Sequence, residues 1–182
     1  MIIDHFDGHA VSSELRFVCT DQRGTGADLI QCLDAVPDSA FIVWNGDTIL
    51  DLDIADLLAY GENKHRSAVI VLTRQPDAPN HDAWYVDADG TVRATLEAAH
   101  PQSPPLAYAW RGSSTGTLLL NKSHLVRYRN SAITDLYSAI LPALIYGRIL
   151  TAYDNGTRYF LDFGTPQALA RIDASQVTGW AS

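Results

Sequence analysis

Along the first half of the chain, short apolar runs alternate with segments whose apolar residues recur at helical spacing. Leu15 to Thr20 has strand character, and Asp21-Gln22-Arg23-Gly24-Thr25-Gly26 breaks it with two glycines. Ala27, Ile30 and Leu33 then fall at helical spacing, and Pro37-Asp38-Ser39 stops that helix. Phe41-Ile42-Val43-Trp44 is a continuous apolar run, the pattern of a strand buried on both faces. It ends in Asn45-Gly46-Asp47-Thr48; Ile54 to Tyr60 follows as a short helix closed by Gly61, and Ala68 to Leu72 as another buried strand. Strand and helix alternating in this way specify an open, largely parallel α/β sheet.

The second half changes character. Ala83 to Val86 and Thr91 to Leu96 flank Ala88-Asp89-Gly90, a hairpin signal, so antiparallel structure is expected as well. His100-Pro101-Gln102-Ser103-Pro104-Pro105 reads as a loop and Thr117 to Leu120 as a strand. Leu136, Ile140 and Leu144 mark one helical face, interrupted by Pro142 and ended by Gly147. Ile149 to Tyr153 and Tyr159 to Leu161 bracket Asp154-Asn155-Gly156, a second hairpin turn. Asp162-Phe163-Gly164-Thr165-Pro166 opens the last helix, with Thr165 placed to cap it and Pro166 at its first position.

Composition narrows the class. With 182 residues, 47% hydrophobic and 19% charged, the chain has apolar material for one ordinary core, and residues 1–182 read as a single domain. No apolar run reaches the roughly 18 residues of a membrane span, and Met1-Ile2-Ile3-Asp4 has no basic region before an apolar stretch, so the expected location is the cytoplasm. A formal charge of −8 argues against a general nucleic-acid surface, and an anionic small substrate would need a local cation. Cys19 and Cys32 have neither metal nor disulfide spacing and read as packing residues. The histidines His5, His9, His65, His81, His100 and His124 show no metal spacing and read mostly as surface residues. Trp44, Trp84, Trp110 and Trp180 suit packing first and stacking on a base second.

Ligands of an open α/β sheet bind beyond the carboxyl ends of its strands. Asp47 and Asp162 both stand at such ends. Each alone reads equally well as a turn residue. Together they could converge on a Mg²⁺ that also bridges substrate phosphates. Asp51-Leu52-Asp53 is an Asp-x-Asp pattern whose plainer reading is an acidic turn that starts a helix.

Asn45-Gly46-Asp47-Thr48 followed by Asp51-Leu52-Asp53, and later Asp162-Phe163-Gly164-Thr165-Pro166, resemble in order and spacing the motifs of sugar-1-phosphate nucleotidyltransferases. Asp89-Gly90-Thr91-Val92 leading to Leu96-Glu97 resembles the stretch before that family's sugar-contacting Glu, and Leu119-Leu120-Asn121-Lys122 resembles a segment of its short bacterial members. Guanylyltransferases acting on mannose or heptose 1-phosphate are the most similar subgroup. The resemblance implies a Rossmann-like nucleotidyltransferase sheet, mostly parallel with antiparallel hairpins. It implies in-line attack of a sugar 1-phosphate on a nucleoside triphosphate, forming a nucleoside diphosphate sugar and pyrophosphate. Asp47 and Asp162 would then ligate Mg²⁺, with Asp47 also at the nucleotide, and Gly24, Thr25 and Gly26 would face the nucleobase and ribose. Glu97 would accept hydrogen bonds from sugar hydroxyls, and Ser114, Thr115 and Gly116 would form the turn beside the sugar.

The departures from that pattern carry expectations of their own. The family's opening strand, its glycine-rich triphosphate loop and a Pro-Lys pair do not appear, so amino-terminal strands are expected to be missing. At ~30 residues per strand-helix-strand unit, that is roughly two units. A homo-oligomer or a partner chain is expected to cover their place, and the isolated chain is expected to be impaired. Glu97-Ala98 stands where a Glu-Lys pair is usual, Asn80-His81-Asp82 replaces Arg-Tyr-Gly, and Ser114-Thr115-Gly116 replaces an Asn-Gly-Gly or Asn-Ala-Gly turn. Two alternatives stay open: a non-catalytic relative that binds a nucleotide or sugar nucleotide, and a metal-dependent glycosyltransferase using Asp51 and Asp53.

Overall fold

The computed structural model describes residues 14–64, 68–75, 82–96, 107–129 and 135–170. In chain order its elements are α1 (Thr25–Cys32), β1 (Ala40–Trp44), β2 (Thr48–Leu50), α2 (Ile54–Asn63), β3 (Ala68–Thr73), β4 (Ala83–Val86), β5 (Val92–Leu96), β6 (Trp110–Asn121), α3 (Lys122–Leu125), α4 (Leu141–Tyr146), β7 (Leu150–Asp154), β8 (Phe160–Asp162) and α5 (Pro166–Leu169). A 3₁₀ turn at Val126–Tyr128 follows α3, and a π-helical turn at Leu136–Ile140 leads into α4.

The main sheet runs β5-β4-β6-β3-β7, with β1 also paired to β6, while β2 and β8 form a separate two-stranded ladder. Among the described pairings only β3 with β7 is parallel; β6 is antiparallel to β1, β3 and β4. Since β6 runs against both β1 and β3, those two share one direction, and β7 shares it with them. Their carboxyl ends therefore emerge at one edge, as the expected α/β class requires, and β6 is the strand that returns. Its 12 residues let it serve two neighbourhoods, pairing β4 through its first residues and β1 through its last. Between them the register against β3 shifts, next to Gly116 at φ +74.

All six residues of β3 are buried, and the alternation of the strand divides them between two cores. Ile70 and Leu72 join Leu118, Leu120, Ile140, Leu141 and Leu144 on one face. Val69 and Val71 join Leu57, Leu119, Tyr153 and Phe160 on the other, under α2.

Several elements differ from the sequence expectation. Leu15 to Thr20 forms no strand, because it finds no ladder partner among the described residues; Leu15, Phe17, Val18 and Cys19 are exposed, so Cys19 is not a packing residue. The apolar run in β1 is only half-buried, since β6 is its single described neighbour. Gly61 does not end α2 but lies inside it, where a Cβ would stand 2.5 Å from Leu119 Cδ2; the glycine lets helix and sheet approach. The turn at Asp154-Asn155-Gly156 does not close a hairpin, because β7 pairs with β3 and β8 with β2.

Candidate functional site

The β2–β8 ladder sets Thr48 opposite Asp162, and its continuation binds the Phe163 amide to the Asp47 carbonyl at 2.9 Å. This pairing brings the Asp47 and Asp162 carboxylates to the same place, although 115 positions separate them in the sequence. Gly164 marks the meeting point: a Cβ there would stand 2.5 Å from Asp47 Oδ2 and 3.3 Å from Asp162 Oδ1. The Gly164 amide donates to Asp162 Oδ1 at 2.9 Å, and the Thr165 hydroxyl caps α5 by accepting from the Ala168 amide at 3.1 Å. On the other side, the Thr48 hydroxyl donates to the Asn45 carbonyl at 3.1 Å and the Trp44 indole donates to the Thr48 carbonyl at 3.3 Å, which fixes the loop carrying Asp47.

Neither carboxylate has an ion pair among the described residues. Two half-buried carboxylates around a glycine, with no cation between them, are a donor set suited to a hard divalent cation. No cluster of three or more His, Cys, Asp or Glu side chains suited to a metal occurs among the described residues. Such an ion would complete its shell with water and substrate oxygens, as Mg²⁺ commonly does.

Gly24, Thr25 and Gly26 open α1, with Gly24 at φ +121. The Thr25 hydroxyl donates to Asp135 Oδ2 at 3.0 Å and accepts from the Leu136 amide at 3.0 Å. Gly26 is buried against the same turn, where a Cβ would meet the Asp135 carbonyl carbon, the Leu136 amide and Ile140 at 3.0 Å each. Asp135 also caps the π-helical turn by accepting from the Ser138 amide at 2.7 Å. Burial works to raise its pKa, but the bonds from Ser138 and Thr25 win and hold it below the usual carboxylate value.

Ser114, Thr115 and Gly116 lie at the bend of β6. Thr115 is fully buried with its hydroxyl on the Val71 carbonyl at 3.0 Å, so it presents no atom to a ligand in this arrangement. Ser114 accepts from the Gly116 amide at 3.1 Å, and a Cβ on Gly116 would stand 2.6 Å from Asn45 Nδ2. The Gly116 carbonyl in turn accepts from the Asn45 amide at 3.1 Å. Asp82 accepts from the Trp84 indole at 2.5 Å and from the Ser114 amide at 3.4 Å, so the acid that replaces a glycine in the expected motif braces this bend. Tyr137 lies on the π-helical turn, and burial pushes its phenol above the usual tyrosine pKa.

Glu97, Ala98, Asn80 and His81 lie outside the described residues, as do five of the six histidines. The sixth, His124, is buried rather than on the surface and accepts the Asn121 amide through Nδ1 at 3.1 Å in a capping box. Asp53 caps α2 by accepting from the Asp56 amide at 3.0 Å, in keeping with the plain reading of the Asp-x-Asp pattern. Asp135, which holds Thr25 and caps the π-helical turn, escaped the sequence reading because a lone acid ahead of an apolar helical face speaks only of a cap.

No protein-family profile matches the chain. Among curated proteins it is 24% identical over 183 residues to a mannose-1-phosphate guanylyltransferase of Mycobacterium tuberculosis, covering 96% of this chain and 48% of that protein. It is also 24% identical over 151 residues to the mannose-1-phosphate guanylyltransferase catalytic subunit beta of Drosophila pseudoobscura pseudoobscura, covering 81% of this chain and 38% of that protein. The chain thus spans half or less of the curated relatives' length. Among solved structures, HddC from Yersinia pseudotuberculosis superposes with a TM-score of 0.72 at 22% identity, covering 93% of this chain and 71% of that one. The inositol-1-phosphate CTP transferase of T. maritima superposes with a TM-score of 0.62 at 12% identity, covering 86% and 61%. These structural matches establish a shared fold.

Proposed function

Starting from a chain that is a sugar-1-phosphate nucleotidyltransferase relative in sequence and in fold, we propose that it serves nucleotidyl transfer. The substrates are a nucleoside triphosphate and a sugar 1-phosphate; the products are a nucleoside diphosphate sugar and pyrophosphate. The observation that carries this reading is the convergence of Asp47 and Asp162 on Gly164, produced by the β2–β8 ladder.

In this reading the two carboxylates hold Mg²⁺, which supplies charge neutralisation at the phosphates when bound. The Asp47 and Asp162 residues that would hold it stand in a hydrogen-bonded frame, with the Phe163 amide on the Asp47 carbonyl and the Gly164 amide on the Asp162 carboxylate, so little reorganisation is needed when substrate arrives. Gly24, Thr25 and Gly26 border the nucleoside, and Ser114 and Gly116 border the sugar, with Glu97 accepting from its hydroxyls. The reaction needs positioning more than covalent help, and the frame built from β1, β6 and the π-helical turn offers that. Ala98, where a lysine would face the sugar phosphate, leaves the isolated chain weak in catalysis. A second copy or a partner chain along the edge of β1 that lacks a partner among the described residues belongs to the same proposal, as does a cytoplasmic location; no described helix is long and apolar enough to cross a membrane.

The test is pyrophosphate release from GTP, CTP, UTP or dTTP with mannose, heptose or glucose 1-phosphate and Mg²⁺. Slow turnover with one pair, abolished by Asp47→Ala, is the expected result. Binding of a nucleoside diphosphate sugar without any turnover would instead favour a non-catalytic relative, and turnover indifferent to Asp47→Ala would remove the metal assignment.

A further inference from the structure

Asp135 ties together two segments 110 positions apart in the sequence, the Gly24-Thr25-Gly26 opening of α1 and the π-helical turn at Leu136–Ile140. Its two carboxylate oxygens do different things. Oδ1 caps the turn, accepting from the Ser138 amide and the Ser138 hydroxyl at 2.7 Å each. Oδ2 accepts from the Thr25 hydroxyl at 3.0 Å, and that hydroxyl accepts in turn from the Leu136 amide at 3.0 Å. Capping needs one oxygen only, which serine would supply as well, so the second bond is extra to the helix and reaches across to α1. Gly26 reinforces it: a Cβ there would lie 3.0 Å from the Asp135 carbonyl carbon, the Leu136 nitrogen and Ile140 Cδ1. That is inside the ~3.5–4.0 Å of an ordinary carbon contact. Leu136 and Ile140, at the two ends of the turn, are buried in the larger core, so the anchor itself is fixed. The loop it holds is not one the backbone favours unaided, with Gln22 at φ +53 and Gly24 at φ +121 and ψ 161, the latter a region open essentially to glycine alone. Asp28 ties the loop to its own helix, through the Arg23 amide on Oδ1 at 3.3 Å and the Asp28 amide on the Gly24 carbonyl at 2.9 Å. Asp135 ties it to the core.

We infer that Asp135 is a positioning residue for nucleoside binding: through the Thr25 hydroxyl it fixes the Gly24-Thr25-Gly26 loop on the core, so that the loop meets its ligand with backbone and not with that hydroxyl. The inference rests on the part of the nucleotidyl-transfer reading that sets this loop beside the nucleoside. The one proton of the Thr25 hydroxyl is committed to Asp135, which leaves no donor there for a base or a ribose. A loop fixed before the ligand arrives loses less conformational freedom on binding, and the difference appears as affinity.

The probes are GTP, CTP, UTP and dTTP with Mg²⁺, titrated against the full chain by ligand-observed NMR; whichever the wild type binds most tightly is carried through the variants. Asp135→Ser keeps an oxygen for the cap but is too short to reach Thr25 as well, and Thr25→Val removes the hydroxyl at nearly constant shape. Thr25→Ser keeps the hydroxyl, and Ser138→Ala removes one donor to the capping oxygen while leaving the tie. The expected result is about tenfold weaker nucleotide binding in Asp135→Ser and in Thr25→Val, the lower end for a lost hydrogen bond to a charged group, with Thr25→Ser and Ser138→Ala close to the wild type. The double variant Asp135→Ser with Thr25→Val should be no weaker than Thr25→Val alone, since both substitutions break one link. Circular dichroism and thermal melting check that each variant folds, and Gly26→Ala, which crowds the same contact, replaces Asp135→Ser if the latter does not. Mn²⁺ affinity, read from water-proton relaxation, should stay unchanged throughout, because none of these bonds belongs to the β2–β8 ladder. A parallel fall in nucleotide and Mn²⁺ affinity would mark a general loosening of the fold and overturn a role confined to the loop. Wild-type nucleotide affinity in folded Asp135→Ser and Thr25→Val would overturn the role of Asp135 while leaving the nucleotide reading standing. A wild-type chain that binds none of the four nucleotides would remove that reading and this inference together.

Discussion

At the scale of single residues, the electrostatics of Asp47 and Asp162 predict an opposition between stability and binding. Two carboxylates that approach one glycine without a cation repel each other, so removing one charge relieves strain in the metal-free protein. Asp47→Asn and Asp162→Asn should therefore leave the metal-free melting temperature unchanged or slightly raised. Both should abolish the rise that Mg²⁺ gives the wild type. Thermal melts with and without Mg²⁺ measure this directly, and a lowered metal-free midpoint together with an intact Mg²⁺ response would refute the assignment. Tyr153 gives a second residue-scale prediction. Burial, then its bond to Asp56, pushes its phenol up to about 12 from an ordinary value of 10.0. The folded state thus holds this proton more tightly than the unfolded chain, so the stability it contributes is full below about pH 10 and is lost as the pH rises toward 12. In Tyr153→Phe the fall in stability across that interval should be shallower, as followed by denaturant titration at stepped pH.

At the scale of elements, what was legible in the sequence was whatever local chemistry decides. Thr165 and Pro166 announced α5, and Asp53 announced the start of α2, because capping geometry is settled within a turn of chain. Replacing the Asp53 cap in Asp53→Ala should cost about 1 kcal/mol in denaturant unfolding and leave any Mn²⁺ binding intact. The second outcome also separates it from a metal-binding Asp-x-Asp site. Illegible were the features set by partners distant in sequence. The turn at Asp154-Asn155-Gly156 has hairpin chemistry, yet β7 is drawn to β3 and β8 to β2 by the buried faces of Val71 and Leu50. The strand over Trp110–Asn121 begins in residues with no apolar alternation, because Arg111, Gly112 and Ser113 are held by ladders to β3 and β4 rather than by burial. Asp47 and Asp162 were found as strand-end acids, but their meeting depends on the β2–β8 register. No local pattern encodes that register. Gly61 is illegible for the same reason: glycine favours a helix end, and only the nearness of Leu119 explains it in mid-helix.

At the scale of the whole molecule, the side of β1 that has no partner among the described residues predicts behaviour in solution. Its second edge has no described partner, and Phe41, Ile42 and Val43 are only half-buried where a sheet interior would cover them. A shallow groove of about 210 Å³ opens at the Ala40 end of the strand, lined by Ala40, Leu58, Gly61, Glu62, Leu119, Leu120 and Asn121. Leu58 is 42% exposed there and Trp44, at the far end of the strand, 37%. An unpaired, apolar strand edge of this kind is a template for another strand, and natural proteins blunt such edges with lysine or proline. No residue of β1 is charged. The net charge of −8 opposes close approach of two copies over a distance of about 10 Å at 0.1 M salt, so association should strengthen as salt rises. Light scattering after size exclusion should accordingly find the chain larger than a monomer, increasingly so from 50 to 500 mM salt, a range that shortens the Debye length toward ~4 Å. Ala40→Lys and Leu58→Lys place a charge beside the edge at exposed positions and should shift the mass toward the monomer without lowering the melting temperature by more than a few degrees. A wild-type chain that stays monomeric across the salt series would show that the edge of β1 is protected by something other than a second copy.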